Sequence, residues 1–324
     1  MGMRPILLGV LAAFFFAFTF LFNRMMDLEG GSWIWSASLR YFFMVPPMMV
    51  IVAFRKGLKT LWQEMKKQPY EWLLWSTVGF GLFYAPLCFA AAYGPGWLIA
   101  ATWQITIISG SLLAPFFYET IQTARGPLKL RGHIPTRGLA MSSFILLGVA
   151  FIQFEHAARI SAADAVLCIF PVMMASFAYP LGNRKMMAAV SHRLDAYQRV
   201  LGMTIASLPF WIVLSLYGAA VIGPPSLGQI IQTGWVAIFS GVIATVMFFA
   251  ATDMVKGNMQ KLCAVEATQS SEVLFAIIGE MIVLSAPLPS PLSWLGISFV
   301  VIGMLLHSFL SRPKKEQNNE TIHV

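Results

Sequence analysis

The sequence predicts an all-α integral membrane protein: ten transmembrane helices in two inverted five-helix repeats, with both termini in the cytoplasm. Three observations predict it: the composition, the lengths of the apolar segments, and the side on which the basic residues fall. The 324-residue chain is 58% hydrophobic and 11% charged, with a mean hydropathy of +0.71, far from a soluble globular domain. Crossing a bilayer takes roughly 17–25 mostly apolar residues in a helix. Ten segments of about that length lie at 5–24, 33–54, 71–92, 97–118, 136–154, 163–182, 197–217, 233–252, 263–284 and 293–310. With the N-terminus inside and the gaps alternating, 19 of the 22 Lys and Arg fall in or beside inner loops. Positive charge is retained on the cytoplasmic side, so the count supports span number and orientation together. One missed or invented helix would invert every later loop and scramble it.

The first segment is too long for a signal-peptide core and lacks a small-residue cleavage site, so it is expected to remain as a span. The inner loop after the second span holds Arg55, Lys56, Lys59, Lys66 and Lys67. The outer turns Tyr93-Gly94-Pro95-Gly96, Gly223-Pro224-Pro225-Ser226 and Ala286-Pro287-Leu288-Pro289 are uncharged and join antiparallel helices tightly. The longest gap, 119–135, carries Gly126, Pro127, Gly132 and Pro135 and reads as an irregular cytoplasmic connector. The polar residues 312–324 read as a disordered cytoplasmic tail.

Ten spans divide into five and five, with units at 1–158 and 159–311. Five is odd, so the second unit enters the membrane in the opposite sense to the first, the geometry of an inverted repeat. Short echoes accompany the division. Phe22-Asn23-Arg24-Met25-Met26 ends the first span and Gly182-Asn183-Arg184-Lys185-Met186-Met187 the sixth; Arg40 and Arg199 follow the two asparagines at similar distances. Ala101-Thr102-Trp103-Gln104 in the fourth span matches Ala267-Thr268-Gln269 in the ninth.

The net charge of +8 belongs to loops where topology and anionic headgroups account for it, so no nucleic-acid partner is expected. Cys88, Cys168 and Cys263 sit in apolar segments without metal-ligand spacing and read as small buried hydrophobes. No phosphate-binding Gly-x-x-x-x-Gly-Lys run, His-Glu-x-x-His motif or paired-Asp site is present. Neither cofactor nor metal is expected. Ser109-Gly110-Ser111 has no His in a partner span to activate it, which argues against an enzyme.

With this topology, the motifs Ser38-Leu39-Arg40-Tyr41-Phe42 in the second span and Gly279-Glu280 late in the ninth identify a resemblance. The chain resembles the drug/metabolite transporter superfamily over residues 5–310, and within it the branch labelled multidrug resistance efflux transporters. A Gly-Glu pair closes the ninth helix in many relatives, and a Gly-rich tenth follows, here Leu295-Gly296 through Ile302-Gly303. Tyr118-Glu119 occupies the matching place after the fourth span, with Tyr where the family often has Gly. The resemblance implies a structural or gating role for Glu280 and Glu119.

Charge at mid-membrane is costly, about 2.5–3.5 kcal/mol on insertion scales. Glu272 lies near the middle of the ninth span beside Gln269, Ser270 and Ser271, the most polar stretch within any span. Low dielectric disfavours a carboxylate, and a carboxyl poised near neutrality can exchange a proton for a cationic substrate. The structural alternative is a protonated acid hydrogen-bonded to a Gln or Ser of a neighbouring helix. Glu266, nearer the cytoplasm, is expected to snorkel or to pair with Lys261. Arg40, the only cation well within a span, is at comparable depth to Glu280, which suggests a pair that clamps the second span. Its alternative role is to hold a carboxylate.

Trp103, Gln104 and Thr106 face the ninth span across the pseudo-symmetry axis, and Tyr41, Tyr84 and Tyr179 add aromatic faces suited to organic cations. Ordinary packing is the alternative for each, and for Trp33, Trp35 and Trp97 an interfacial belt. Arg24, Glu155, His156, Arg159 and Asp164 form a second mixed-charge set at the outer boundary, expected to be a solvated ion-pair network, with gating as its alternative role.

Taken together, the sequence predicts an inner-membrane secondary transporter, monomeric or homodimeric. It would export small cationic or amphipathic solutes by proton-coupled alternating access. The nearest rival is an exporter of amino acids or other metabolites without proton coupling, acting through Arg40 and Gln104. A lipid flippase or a membrane-embedded enzyme is a more distant one.

Overall fold

A computed structural model describes residues 3–93, 96–123, 126–134, 136–157, 161–190, 193–285 and 290–310. In chain order the first elements are α1 (Met3–Leu28), α2 (Trp33–Phe54), a short α3 (Leu58–Lys67), and α4 (Pro69–Ser76) with α5 (Leu82–Ala91). There follow α6 (Gly96–Trp103), α7 (Ile105–Leu112), strands β1 (Tyr118–Thr123) and β2 (Gly126–Arg131), α8 (Thr136–Ala157), α9 (Ala162–Val190) and α10 (Ala196–Val221). The last are α11 (Leu227–Val236), α12 (Thr245–Asp253), α13 (Met259–Ala267), α14 (Ser271–Val283) and α15 (Pro291–Leu310). A π-helical segment, Thr77–Gly81, joins α4 to α5, and another, Ala237–Ala244, joins α11 to α12.

Helix starts follow local chemistry. Ser32 caps α2, its Oγ accepting from the Ile34 amide at 3.2 Å. Asp195 and Gln198 form a reciprocal capping box at α10, and Asn258 caps α13, each satisfying amides the helix leaves unpaired. Lys56, with φ of 56°, and Gly57 turn the chain out of α2 into α3.

Among the described residues six helices are long and apolar enough to cross a membrane: Met3–Leu28, Trp33–Phe54, Pro69–Ala91, Val166–Val190, Ala196–Val221 and Leu227–Asp253. Their outward faces stay apolar, as at Leu7, Phe170, Val213 and Leu216, which are exposed. That surface belongs against lipid, and the chain is an all-α multi-pass membrane protein. α1 runs through the middle, packed against α6, α12 and α14. α6 packs on α14 and α7 on α13, so the segment 96–112 faces the segment 259–283. Small residues permit close crossings: a Cβ on Gly182 would overlap the Gly79 backbone, where α9 meets the first π segment.

Two expectations are corrected. The 119–135 connector is not irregular, since β1 and β2 pair antiparallel with Tyr118 opposite Arg131 and Glu119 opposite Leu130. Thr120, Ile121 and Thr123 favour a pleated strand, and the ends are tied by Arg131 Nε donating to the Pro115 carbonyl at 2.8 Å. Glu119 therefore sits in a strand and does not close a helix. Within the 55–67 loop, α3 buries Leu61 and Glu64 and exposes Lys59, Lys66 and Lys67. The fourth segment is not a continuous helix over 97–118, because it breaks at Gln104 and ends at Leu112. The unit boundary at 158 and 159 and the tail lie outside the described residues.

Candidate functional site

The ninth apolar segment is also broken, by a 3-10 turn at Thr268–Ser270 between α13 and α14. The break is built by hydroxyls folding back on the local backbone. Thr268 Oγ1 donates to the Val265 carbonyl at 2.6 Å, Ser270 Oγ to Ala267 at 2.8 Å and Ser271 Oγ to Thr268 at 2.7 Å. None is left for Glu272, which begins α14 with 1% of its surface exposed. Neither of its carboxyl oxygens has a hydrogen-bond partner among the described residues. Gln269 Nε2, one turn earlier, also lacks one. Natively buried polar groups are nearly all satisfied, and Glu272 is the one buried carboxyl among the described residues with both oxygens open.

Glu272 and Gln269 line a constricted cavity of about 20 Å³ together with Trp103 and Arg40, with room for about one water. Thr19, Ser240 and Tyr179 complete its polar lining, and Phe16, Phe20, Phe83 and Leu87 its apolar walls. The aromatic side is continuous: Phe83 lies 5.0 Å from Trp103 and 4.6 Å from Tyr179, centroid to centroid.

Arg40 is 98% enclosed, its guanidinium 3.9 Å over the Tyr84 ring, with Nη2 donating to Ser240 Oγ at 2.9 Å. Ser240 also accepts from Thr19 Oγ1 at 2.5 Å. Asn23 Nδ2 donates to the Tyr84 hydroxyl at 3.4 Å, which fixes the ring beneath the cation. Arg40 Nε has no acceptor, and no described carboxylate lies within ion-pair distance of the guanidinium. The expected Arg40–Glu280 clamp is therefore not formed: Glu280 packs instead beside Gly96 at the end of α14.

The other predicted residues divide. Tyr84 supports Arg40 from behind. Tyr41 stacks on Trp211 at 4.4 Å and donates to the Phe80 carbonyl at 3.4 Å, away from the cavity lining. Gln104 is fully buried, its Nε2 donating to the Ala100 carbonyl at 3.0 Å, and Thr106 donates to the Ser176 carbonyl at 3.1 Å. Gln104 bonds back within its own broken segment, Thr106 ties α7 to α9, and neither lines the cavity. Arg24 pairs with Asp27 at 2.8 Å, and Asp164 accepts from Ser161 Oγ at 2.7 Å. The side chains of Glu119, Glu155, His156, Arg159, Trp97 and Cys263 lie outside the described residues.

Glu266 neither snorkels nor pairs with Lys261. It is buried against Arg184, whose Nε donates to Oε1 at 2.9 Å and whose Nη2 meets Oε2. The same guanidinium donates to the Gly110 carbonyl, tying α7, α9 and α13. Arg199, 1% exposed, pairs with Asp253 at 2.5 Å and lies 4.5 Å from the Phe249 ring. Sequence reasoning missed these inward-turned arginines, along with Thr19 and Ser240. The asparagine-arginine echo at 183–184 was the available signal for the first, and lone hydroxyls within apolar spans for the others.

Comparison with known proteins places these features. A family described as "EmrE: Putative multidrug resistance efflux transporter" matches residues 3–313. "Uncharacterized protein YjlA" of Bacillus subtilis (strain 168) is 53% identical over 323 residues, covering 98% of this chain and 100% of the relative. An "Uncharacterized 42.1 kDa protein in intracellular alkaline protease 3'region" of Shouchella clausii is 50% identical over 270 residues, 83% of this chain and 70% of that one. A crystal structure of a protein, 12% identical, superposes with a TM-score of 0.66 over 95% of this chain and 98% of its own, a likeness of fold.

Proposed function

The chain belongs to the EmrE-like family of multidrug resistance efflux transporters, and on that premise we propose that it exports small organic solutes by proton-coupled alternating access, with Glu272 as the coupling group. One observation carries the reading: a buried carboxyl without a partner among the described residues lines an aromatic-walled cavity at the break of a helix. Protonated, it is neutral and tolerable in low dielectric; deprotonated, it needs a cation, which a substrate supplies. Trp103, Phe83 and Tyr179 offer faces to an organic cation. Thr19, Gln269 and Ser240 are placed to orient its polar atoms.

Alternating access needs two related halves. We assign ten crossings, the apolar segments named above, to units 1–158 and 159–311, inverted relative to each other, in the cell (inner) membrane. Several parallels support this division. Segments 96–112 and 259–283 are both interrupted mid-way, and 69–91 and 227–253 both contain a π segment. Arg40 and Arg199 are both buried against an aromatic ring. Discontinuous helices at the midplane are a common transporter device. The distribution of basic residues supports both termini inside. One chain encloses the cavity, so a monomer suffices.

A second reading is favoured by Arg40. A permanent cation in the cavity wall repels a simple monocation and attracts a carboxylate, which suits an amino acid or related metabolite. Proteoliposomes with an imposed pH gradient separate the readings, using organic cations and amino acids as probes on wild type and Glu272→Gln. Uphill movement of a cation that becomes mere equilibration in the variant supports the proton-coupled reading. Equal uphill transport by both proteins overturns Glu272 as the coupling group. Movement of zwitterions alone selects the second reading.

A further inference from the structure

A second void of about 330 Å³ opens where α2 turns into α3, α9 gives way to α10 and α12 ends. Its lining includes Arg55, Asp195, Tyr197, Arg199, Asp253 and Lys256. The two carboxylates are already answered. Asp195 accepts the Gln198 amide at 2.8 Å through Oδ1 and Arg55 Nη2 at 2.9 Å through Oδ2. Asp253 accepts from Arg199.

One of the three cations is not answered by a carboxylate. Lys256 Nζ donates to the Met187 carbonyl at 2.7 Å and makes no ion pair among the described residues. Burial holds its ammonium below the ordinary lysine value; Arg199 and Arg193 push the same way, and Asp253 opposes them. Arg55 lies half-exposed, its guanidinium 4.4 Å over the Tyr197 ring, with one nitrogen on Asp195. Three cations against two carboxylates leave a positive excess and spare N–H donors around a void large enough for a small ligand.

We propose that this mouth binds a phosphate-type oxyanion, with Lys256 and Arg55 as its direct partners and Arg199 as the charge behind them. The same chemistry comes from a phospholipid headgroup or from free phosphate, and the surroundings favour the lipid. α3 follows Arg55 closely in the chain with Lys59, Lys66 and Lys67 exposed, and Phe54, Trp62 and Tyr70 are exposed on the same stretch of chain. Basic and aromatic residues in that arrangement lie at the headgroup level, and basic pockets at the cytoplasmic surface receive anionic headgroups. Val190, Leu194 and Ala250 give the void an apolar side against which a glycerol backbone can rest. The site is separate from the central cavity and does not depend on what that cavity transports.

The test uses the full chain in nanodiscs of neutral phosphatidylcholine, titrated with phosphatidylglycerol or, separately, with inorganic phosphate, and read as thermal stabilisation. Arg55→Gln/Lys256→Gln is compared with Lys59→Gln/Lys66→Gln, which removes the same charge outside the void. Removing each direct partner weakens binding roughly fivefold, so the mouth pair loses on the order of twentyfold in apparent affinity while the control pair stays near wild type. Loss confined to the mouth variant in the phosphatidylglycerol arm establishes a lipid site. The same pattern with inorganic phosphate establishes a soluble-anion site. Equal loss in the two variants, or no stabilisation of wild type by either probe, overturns the proposal. If the double variant fails to fold in neutral lipid, Lys256→Gln alone is read against Lys66→Gln by the same criteria.

Discussion

Glu266 and Glu272 are six residues apart on one interrupted helix, and both are buried. Their surroundings differ. Glu266 is gripped by two nitrogens of Arg184, which also holds the Gly110 carbonyl. Glu272 has no partner among the described residues and lines a cavity. A buried ion pair that ties three helices fixes geometry, and its cost of desolvation is offset by short, directed bonds. A buried carboxyl left open resists ionisation until something enters to meet it. The contrast separates a carboxylate held by an ion pair from one that faces a cavity, although residue type and burial are the same.

The largest effect tests the paired member. Glu266→Gln or Arg184→Leu strands its partner and is expected to cost about 3–5 kcal/mol, seen as loss of detergent-stable protein in thermal unfolding. The double substitution Glu266→Leu/Arg184→Leu removes both charges and should recover much of that loss; a strictly additive double variant would break the comparison. Next, Glu272→Gln is expected to change stability by about 1 kcal/mol or less, since one unpaired polar group replaces another, while coupled transport is lost. Destabilisation as large as that of Glu266→Gln would place Glu272 among the structural residues.

These contrasts were only partly legible in the sequence. The membrane class was, because apolar length and the placement of basic residues report directly on the bilayer. The burial of Glu272 was too: a carboxyl at the middle of a span draws attention wherever its side chain points. Arg184 and Arg199 were not, because a cation near a span end can reach water or turn inward. The choice depends on what packs alongside. Here a Cβ on Gly110 would crowd both Glu266 and Arg184, so the absence of a side chain makes their room. The hairpin at 118–131 was hidden by its Gly and Pro, which read as breakers although the β-branched residues before them favour pairing. Depth along the chain suggested Arg40 with Glu280, but depth gives no azimuth, and the two point to different neighbours.

A third test compares the two enclosed arginines. Arg199→Met leaves Asp253 without its cation and is expected to cost about 1–3 kcal/mol, less than a fully buried pair because Asp253 is partly exposed. Arg40→Met strands no carboxylate and should cost less. Equal losses would mean that Arg40 is held by interactions as strong as an ion pair.

The smallest expected effect is at the surface helix. Glu64 accepts from Lys67 at 2.6 Å and from Arg193 at 2.7 Å, and these hydrogen bonds hold its carboxyl below the usual glutamate value. A depressed folded-state value means the stabilisation is fully present above the ordinary glutamate range and disappears as pH falls through the lowered one. Both cations are half-exposed or more, so solvent and salt screen them. Arg193→Gln is therefore expected to cost about 0.2–1 kcal/mol near neutrality. The deficit should shrink in high salt and vanish in acid below the lowered value. A deficit indifferent to both would show that Arg193 acts through its packing and its bond to the Ala189 carbonyl rather than through charge, and the buried Arg184–Glu266 pair would then be the stronger electrostatic tie between α9 and its neighbours.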